Sequence, residues 1–105
     1  MSNDLQHHVQ SIADTLSKGF GDEVNHEGEP MSAFDYLEDA LDIEYIVNSK
    51  RQYLGARVLV AFGGPNIWVD TKRGIVEGSW WGESASVPFT DNIGLDEALQ
   101  TLWEC

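Results

Sequence analysis

Cysteine and basic side chains are both scarce in this sequence. One cysteine, Cys105, is present among 105 residues, so no disulfide can form within the chain and we expect a cytosolic protein. Six lysines and arginines stand against 18 aspartates and glutamates, which gives a formal net charge of −12. This charge opposes direct binding to nucleic acid and to anionic membranes, because both are polyanions. It favours solubility or a basic protein partner.

Long apolar runs are also missing. No stretch of about 18 apolar residues occurs, so no membrane span is predicted. The first ten residues, MSNDLQHHVQ, lack the basic start and apolar middle of a signal peptide. The length and the 42% hydrophobic content suit a single small domain, residues 1–105.

Catalytic and cofactor motifs are absent as well. The segment GSWWG at residues 78–82 has the wrong spacing for the G-x-S-x-G of a nucleophile elbow, and FGGPN at residues 62–66 is too short for a P-loop. The acidic loop around His26 offers oxygen ligands, but its spacing does not match an EF-hand. We therefore predict no metal, no cofactor and no enzymatic activity; a small hydrolase is the alternative.

Apolar spacing predicts helices at both ends of the chain. One stripe at steps of three and four indicates a helix over residues 4–20 that ends at Gly19 and Gly21. Ser32 with Asp35 predicts a capping box that starts a second helix, whose apolar side holds Phe34, Leu37 and Leu41. Asp91 or Asn92 can start a last helix, which carries Leu95, Leu99, Leu102 and Trp103 on its buried side.

Alternating apolar residues between these helices predict strands with short turns. The predicted fold is therefore α+β, with two N-terminal helices, an antiparallel β-meander of four or five strands and a C-terminal helix. Alternation assigns one apolar set to the core face: Ile43, Tyr45, Val47, Val58, Val60, Phe62, Ile67, Val69, Val76 and Trp80. The other face is mixed: Glu44, Ile46, Arg57, Leu59, Ala61, Trp68, Asp70, Glu77, Ser79 and Trp81.

Two interpretations of the mixed face remain open at this point. In the first, the N-terminal helix lies across it, and Trp68 and Trp81 are ordinary packing residues. In the second, the two rings stay partly exposed as anchors of an interface, where tryptophan is enriched.

Acidic residues are concentrated in the first half of the chain. Residues 19–49 contain no lysine or arginine and hold nine of the 18 acids: Asp22, Glu23, Glu27, Glu29, Asp35, Glu38, Asp39, Asp42 and Glu44. Four of them, from Asp35 to Asp42, have the spacing that aligns carboxylates about 5–6 Å apart on one side of a helix. Such a row, without interleaved cations, resembles a phosphate backbone and predicts a partner with a basic groove.

Three segments, ARVLVAFGGPNIWVDT, VEGSWWGES and LDEALQTLWEC, resemble small acidic proteins carried by prophages and mobile elements of Gram-positive bacteria. The resemblance covers roughly residues 41–105 and includes no catalytic motif. By size, charge and setting it implies an inhibitor of the anti-CRISPR or anti-restriction type, several of which act as DNA mimics.

These observations lead to one functional prediction and one alternative. The prediction is a non-enzymatic inhibitor that blocks the DNA groove of a host defence protein, a CRISPR effector nuclease such as Cas9 or a restriction enzyme. The nine acids would occupy the groove, and Trp68 or Trp81 would add an apolar anchor. The alternative is an accessory interaction module of a mobile element that forms a homodimer through its tryptophan-bearing sheet face.

Overall fold

The computed structural model describes residues 2–105, with side chains from Asp4 onward. The elements are α1 Ser2–Lys18, α2 Ala33–Glu38, β1 Asp42–Val47, β2 Tyr53–Ala61, β3 Asn66–Asp70, β4 Ile75–Trp80, β5 Glu83–Pro88 and α3 Leu95–Glu104. The strands form one antiparallel sheet in the order β1-β2-β3-β4-β5. The predicted α+β class, the five-stranded meander and the C-terminal helix are confirmed.

Helix α1 packs along β4 and β5 through its apolar stripe. Leu5, Val9 and Leu16 are fully buried there. The helix approaches the sheet closely at Gly78, where a Cβ atom would lie 3.0 Å from side-chain carbons of both Leu5 and Val9. After Lys18 the chain leaves the helix at Gly19, which has a φ of +89° that favours glycine.

The predicted second N-terminal helix is much shorter than expected. Its capping box forms, since the Ser32 N–H donates to Asp35 Oδ2 at 2.9 Å and the Asp35 N–H donates to Ser32 Oγ at 3.2 Å. However, α2 has only six residues. The Leu41 N–H donates to the Leu59 carbonyl at 2.8 Å, so the chain already pairs with β2 at this point and cannot continue the helix. The fold therefore has one long and one short N-terminal helix, and Phe34 and Leu41 are exposed.

The core lies between one sheet face and all three helices. Three residues predicted for it, Tyr45, Val47 and Phe62, are exposed instead. Tyr45 and Val47 belong to β1, an edge strand of the sheet. For Phe62, a register shift between Leu59 and Ala61 adds an extra residue to β2, so strict alternation from Val58 fails beyond that point. The same shift moves Ala61 from the mixed face to the core side, opposite Ile67.

Helix α3 is fixed at its start by carboxylates. The helix begins at Leu95 with Gly94 as its N-cap, later than the predicted start at Asp91 or Asn92. Asp91 still bonds its first turn, because the Leu95 and Asp96 N–H groups donate to the two Asp91 oxygens at 2.8 and 2.9 Å. Asp96 in turn accepts from Tyr53 Oη at 2.6 Å and from Thr71 Oγ1 at 2.8 Å. Burial, and then the hydrogen bond to Asp96, raise the pKa of Tyr53. These contacts hold α3 over β2.

Candidate functional site

The second sheet face carries no helix within residues 2–105. All three helices bury their apolar residues in the single core cluster on the other face. The interpretation that the N-terminal helix covers the second face is therefore wrong. The reason is chemical: the apolar stripe of α1 pairs with the apolar face around Val76, whereas the second face presents charged side chains such as Arg57 and Glu77.

Trp68 lies on this second face beneath an arginine. The Arg57 guanidinium carbon is 4.3 Å from the centroid of the Trp68 ring, a cation–π contact. The two terminal nitrogens of Arg57 lie 3.2 Å from Glu44 Oε1 and 3.3 Å from Glu77 Oε1. A second arginine, Arg73, bonds the other Glu77 oxygen at 3.3 Å. Trp68 is thus half-buried by its own chain, and Glu44 already has a cationic partner.

Polar side chains surround this stacked pair. A groove of about 390 Å³ on the same face is lined by Arg57, Asn66, Trp68, Glu77, Gly78, Ser79, Ser84, Ala85 and Ser86. The face is therefore polar with a single stacked ring. It does not present two exposed tryptophans.

Trp81 does not lie on either face of the sheet. Strand β4 ends at Trp80 and β5 begins at Glu83, and these two residues form the last pair of the ladder. Trp81 and Gly82 form the two-residue hairpin loop, with φ angles of +54° and +78°, the signs that a type I′ turn requires. Assigning Trp81 to the second face was therefore wrong, because strand alternation stops at Trp80. The Trp81 residue is 89% exposed, whereas Trp80 packs half-buried against the core.

Four of the nine predicted acids meet at one groove. Glu23, Asp35, Glu38 and Asp39 line a cavity of about 340 Å³ between the loop that follows α1 and helix α2, together with Val24, Asn25, His26 and Met31. We call this cavity the acidic groove. Its lining includes no lysine or arginine among the described side chains.

Hydrogen bonds from Asp35 and Asn25 hold the walls of the acidic groove together. Asp35 Oδ2 accepts from the Ser32 N–H, Ser32 Oγ and Asn25 Nδ2 at 2.9, 3.0 and 3.2 Å. The hydrogen bond from the Ser32 backbone N–H, followed by the one from the Asn25 side-chain amide, lowers the pKa of Asp35. On its other side, Asn25 Oδ1 accepts from the N–H groups of Glu27 and Glu29 at 2.9 and 3.0 Å. Asn25 was missed from the sequence, although a side chain that bonds the backbone two residues on is a familiar use of asparagine.

The other five acids lie elsewhere. Asp22, Glu27 and Glu29 are exposed on the loop that precedes α2. Asp42 and Glu44 lie in β1, on the second sheet face opposite Leu59 and Arg57. The predicted row of four carboxylates along the second helix is therefore wrong, because α2 ends at Glu38 and Asp42 already belongs to the sheet.

Neither a metal-binding cluster nor a membrane-spanning helix is found within residues 2–105. No group of three or more histidine, cysteine, aspartate or glutamate side chains is placed there to hold a metal ion. None of the helices in that range has the length and apolarity needed to cross a bilayer.

Comparison with known proteins returned no relative: no family model, curated protein or solved structure matches the chain significantly.

Proposed function

We propose that this protein is a non-enzymatic inhibitor that places its acidic groove against the basic groove of a nucleic-acid-binding protein. The observation that carries the proposal is the convergence of Glu23, Asp35, Glu38 and Asp39 on one cavity whose described lining holds no lysine or arginine. A cationic surface that normally binds phosphates would find fixed carboxylates there in place of the phosphates.

Preorganisation supports this function. The Asp35 carboxylate is held by three hydrogen bonds from Ser32 and Asn25, so a partner would not have to order it. The net charge of −12 would also speed association with a basic partner at low salt. Two of the arginines, Arg57 and Arg73, bond carboxylates on the second sheet face, away from the acidic groove.

The partner class follows from charge and from the resemblance to proteins of mobile elements. Host CRISPR effectors and restriction enzymes hold DNA in basic grooves and are the first candidates. A DNA-cleavage assay with a panel of such enzymes tests the proposal. We expect at least one enzyme to be inhibited by the purified chain, with inhibition that weakens steeply as salt rises. Full cleavage by every enzyme at saturating protein would contradict it.

A matched pair of variants locates the interaction. The groove variant combines Glu23→Gln, Glu38→Gln and Asp39→Asn and leaves Asp35 in place, because Asp35 caps α2. The control variant carries Asp14→Asn, Glu97→Gln and Glu104→Gln, which remove the same charge from α1 and α3.

We expect the groove variant to lose about tenfold in inhibition, since charge pairs in an interface contribute on the order of 1 kcal/mol or more. The control should lose little. Equal losses in both variants would show that net charge alone acts and that the acidic groove is not the contact surface.

The uncovered second sheet face supports a second candidate, a homodimer that forms through Trp68. No helix within residues 2–105 covers this face, and the ring is shielded there mainly by Arg57. Light scattering at low and high salt tests it. A dimer that buries the Trp68 ring should persist or tighten as salt rises, whereas binding through the acidic groove weakens. A monomer at every concentration and salt contradicts the homodimer.

A further inference from the structure

The tip of the β4–β5 hairpin forms a second cleft, separate from the acidic groove. Trp80, Trp81, Asp4 and Glu83 line a cavity of about 370 Å³ there. Two indole rings and two carboxylates meet at this point, and Trp81 is 89% exposed. We call this cavity the tip cleft. No lysine or arginine is among its described lining residues.

Folding alone does not account for tryptophan at position 81. The residue has a φ of +54°, a conformation that favours asparagine, aspartate or glycine and strains a bulky side chain. Its ring also gains little burial in return. An exposed aromatic side chain on a strained backbone points to a role outside the fold, because a residue that is 89% exposed gains too little packing to offset the strain.

The chain itself shows how such a group of side chains binds a cation. On the second sheet face, the Arg57 guanidinium lies 4.3 Å from the ring centre of Trp68 and is bonded on its two sides by Glu44 and Glu77. The tip cleft contains the same chemical parts, indole and two carboxylates, without the guanidinium.

We propose that the tip cleft receives an arginine side chain of a basic protein partner. The guanidinium would stack on an indole ring and donate hydrogen bonds to Asp4 and Glu83. Arginine fits better than lysine, because its planar group can stack on a ring and bond a carboxylate at the same time. The proposal depends on the proposed function for the identity of the partner, a basic protein, and gives that partner an anchoring contact outside the acidic groove.

A peptide titration of the full chain tests the proposal directly. The probe is a short peptide whose only charged groups are two arginine side chains. Its counterpart carries citrulline at both positions, in which an uncharged urea replaces the guanidinium. The readout is the set of indole N–H signals in nitrogen-15 NMR spectra, assigned through tryptophan variants. We expect the signals of Trp80 and Trp81 to move with the arginine peptide, with affinity in the millimolar range, and to move far less with the citrulline peptide.

Three variants separate local contacts from net charge. Trp81→Asn removes the ring and keeps a residue that tolerates the turn, and Glu83→Gln removes one carboxylate from the tip cleft. Glu104→Gln removes the same charge at the end of α3 and serves as the matched control. We expect each tip-cleft variant to weaken peptide binding at least about threefold and the control to leave it unchanged. Equal movement with both peptides, or equal weakening by Glu104→Gln, would overturn the proposal.

The same variants distinguish a failure here from a failure of the proposed function. If the arginine peptide moves the Trp80 and Trp81 signals but no DNA-binding enzyme is inhibited, the proposed function fails and the tip cleft stands. If an enzyme is inhibited equally by the parent chain and by Trp81→Asn, the tip cleft fails as an anchor and the proposed function stands.

Discussion

Replacing Trp81 separates the contribution of its ring from the cost of its backbone conformation. Trp81→Ala removes the ring and keeps a side chain that disfavours positive φ. Since the residue is 89% exposed, only about a tenth of the roughly 250 Å² of a tryptophan is buried. At about 25 cal/mol per Å², that burial contributes on the order of 0.7 kcal/mol. We therefore expect Trp81→Ala to lower the free energy of unfolding by no more than about 0.7 kcal/mol.

Trp81→Asn loses the same ring contacts but relieves the backbone strain. The left-handed region costs an ordinary residue about 1 kcal/mol, and asparagine followed by glycine is a favoured type I′ pair. The free energy of unfolding of the asparagine variant should therefore exceed that of the alanine variant by up to about 1 kcal/mol. It should equal or slightly exceed that of the parent chain. Gly82→Ala is the control for the backbone effect, because its added Cβ meets no atom within 4 Å at a φ of +78°. We expect it to cost about 1 kcal/mol.

Urea denaturation followed by circular dichroism measures these differences, since a single domain of this size is expected to unfold in two states. In thermal melts, 1 kcal/mol corresponds to roughly 4 °C for a chain of this length. A loss above about 2 kcal/mol in Trp81→Ala would show that the ring is a packing residue. Its proposed role in binding would then lose its main argument. Asparagine and alanine variants of equal stability would show that the positive φ carries no cost.

Three further outcomes follow from the contacts of the fold. Gly78→Ala should lower the free energy of unfolding by about 1–3 kcal/mol in urea denaturation, because its Cβ would lie 3.0 Å from side chains of α1; unchanged stability would contradict this close approach. Tyr53→Phe should cost about 1–2 kcal/mol by losing its 2.6 Å hydrogen bond to the Asp96 carboxylate, and a neutral result would show that this bond does not hold α3. Burial raises the pKa of Tyr36 to about 12, so its neutral form is favoured in the folded chain. The resulting stability is complete below about pH 10 and is lost as the pH rises through 12, and Tyr36→Phe should flatten that part of an alkaline denaturation curve.

Local patterns predicted the elements of this fold well. The stripe of α1 and the capping box of Ser32 and Asp35 each depend on residues within a few positions of one another. Two of the errors arose where one residue changed the phase of a pattern. The extra residue in β2 moved Phe62 out of the core, and no residue of the VLVAF segment predicts this register shift. The hairpin loop at Trp81 was missed because tryptophan followed by glycine is a weaker turn signal than asparagine followed by glycine.

The acidic groove was predictable in composition but not in shape. Counting charges identified all four of its carboxylates within residues 19–49. Which acids converge depends on Asn25, which joins the loop backbone to Asp35, and on the early end of α2. Both are tertiary outcomes that spacing along a presumed helix does not capture.

The pairing of Arg57 and Arg73 with carboxylates on one side of the sheet has an electrical consequence for the whole molecule. Cations are retained on that side, while α2 and its preceding loop, which lie in the opposite layer, carry acids without lysine or arginine, so the chain should have a permanent dipole moment across the sheet. In the field of a large cationic body such a molecule rotates before it touches, and it would tend to arrive with the α2 layer in front. A fixed orientation on approach would raise the productive fraction of collisions without adding a single contact to the final complex.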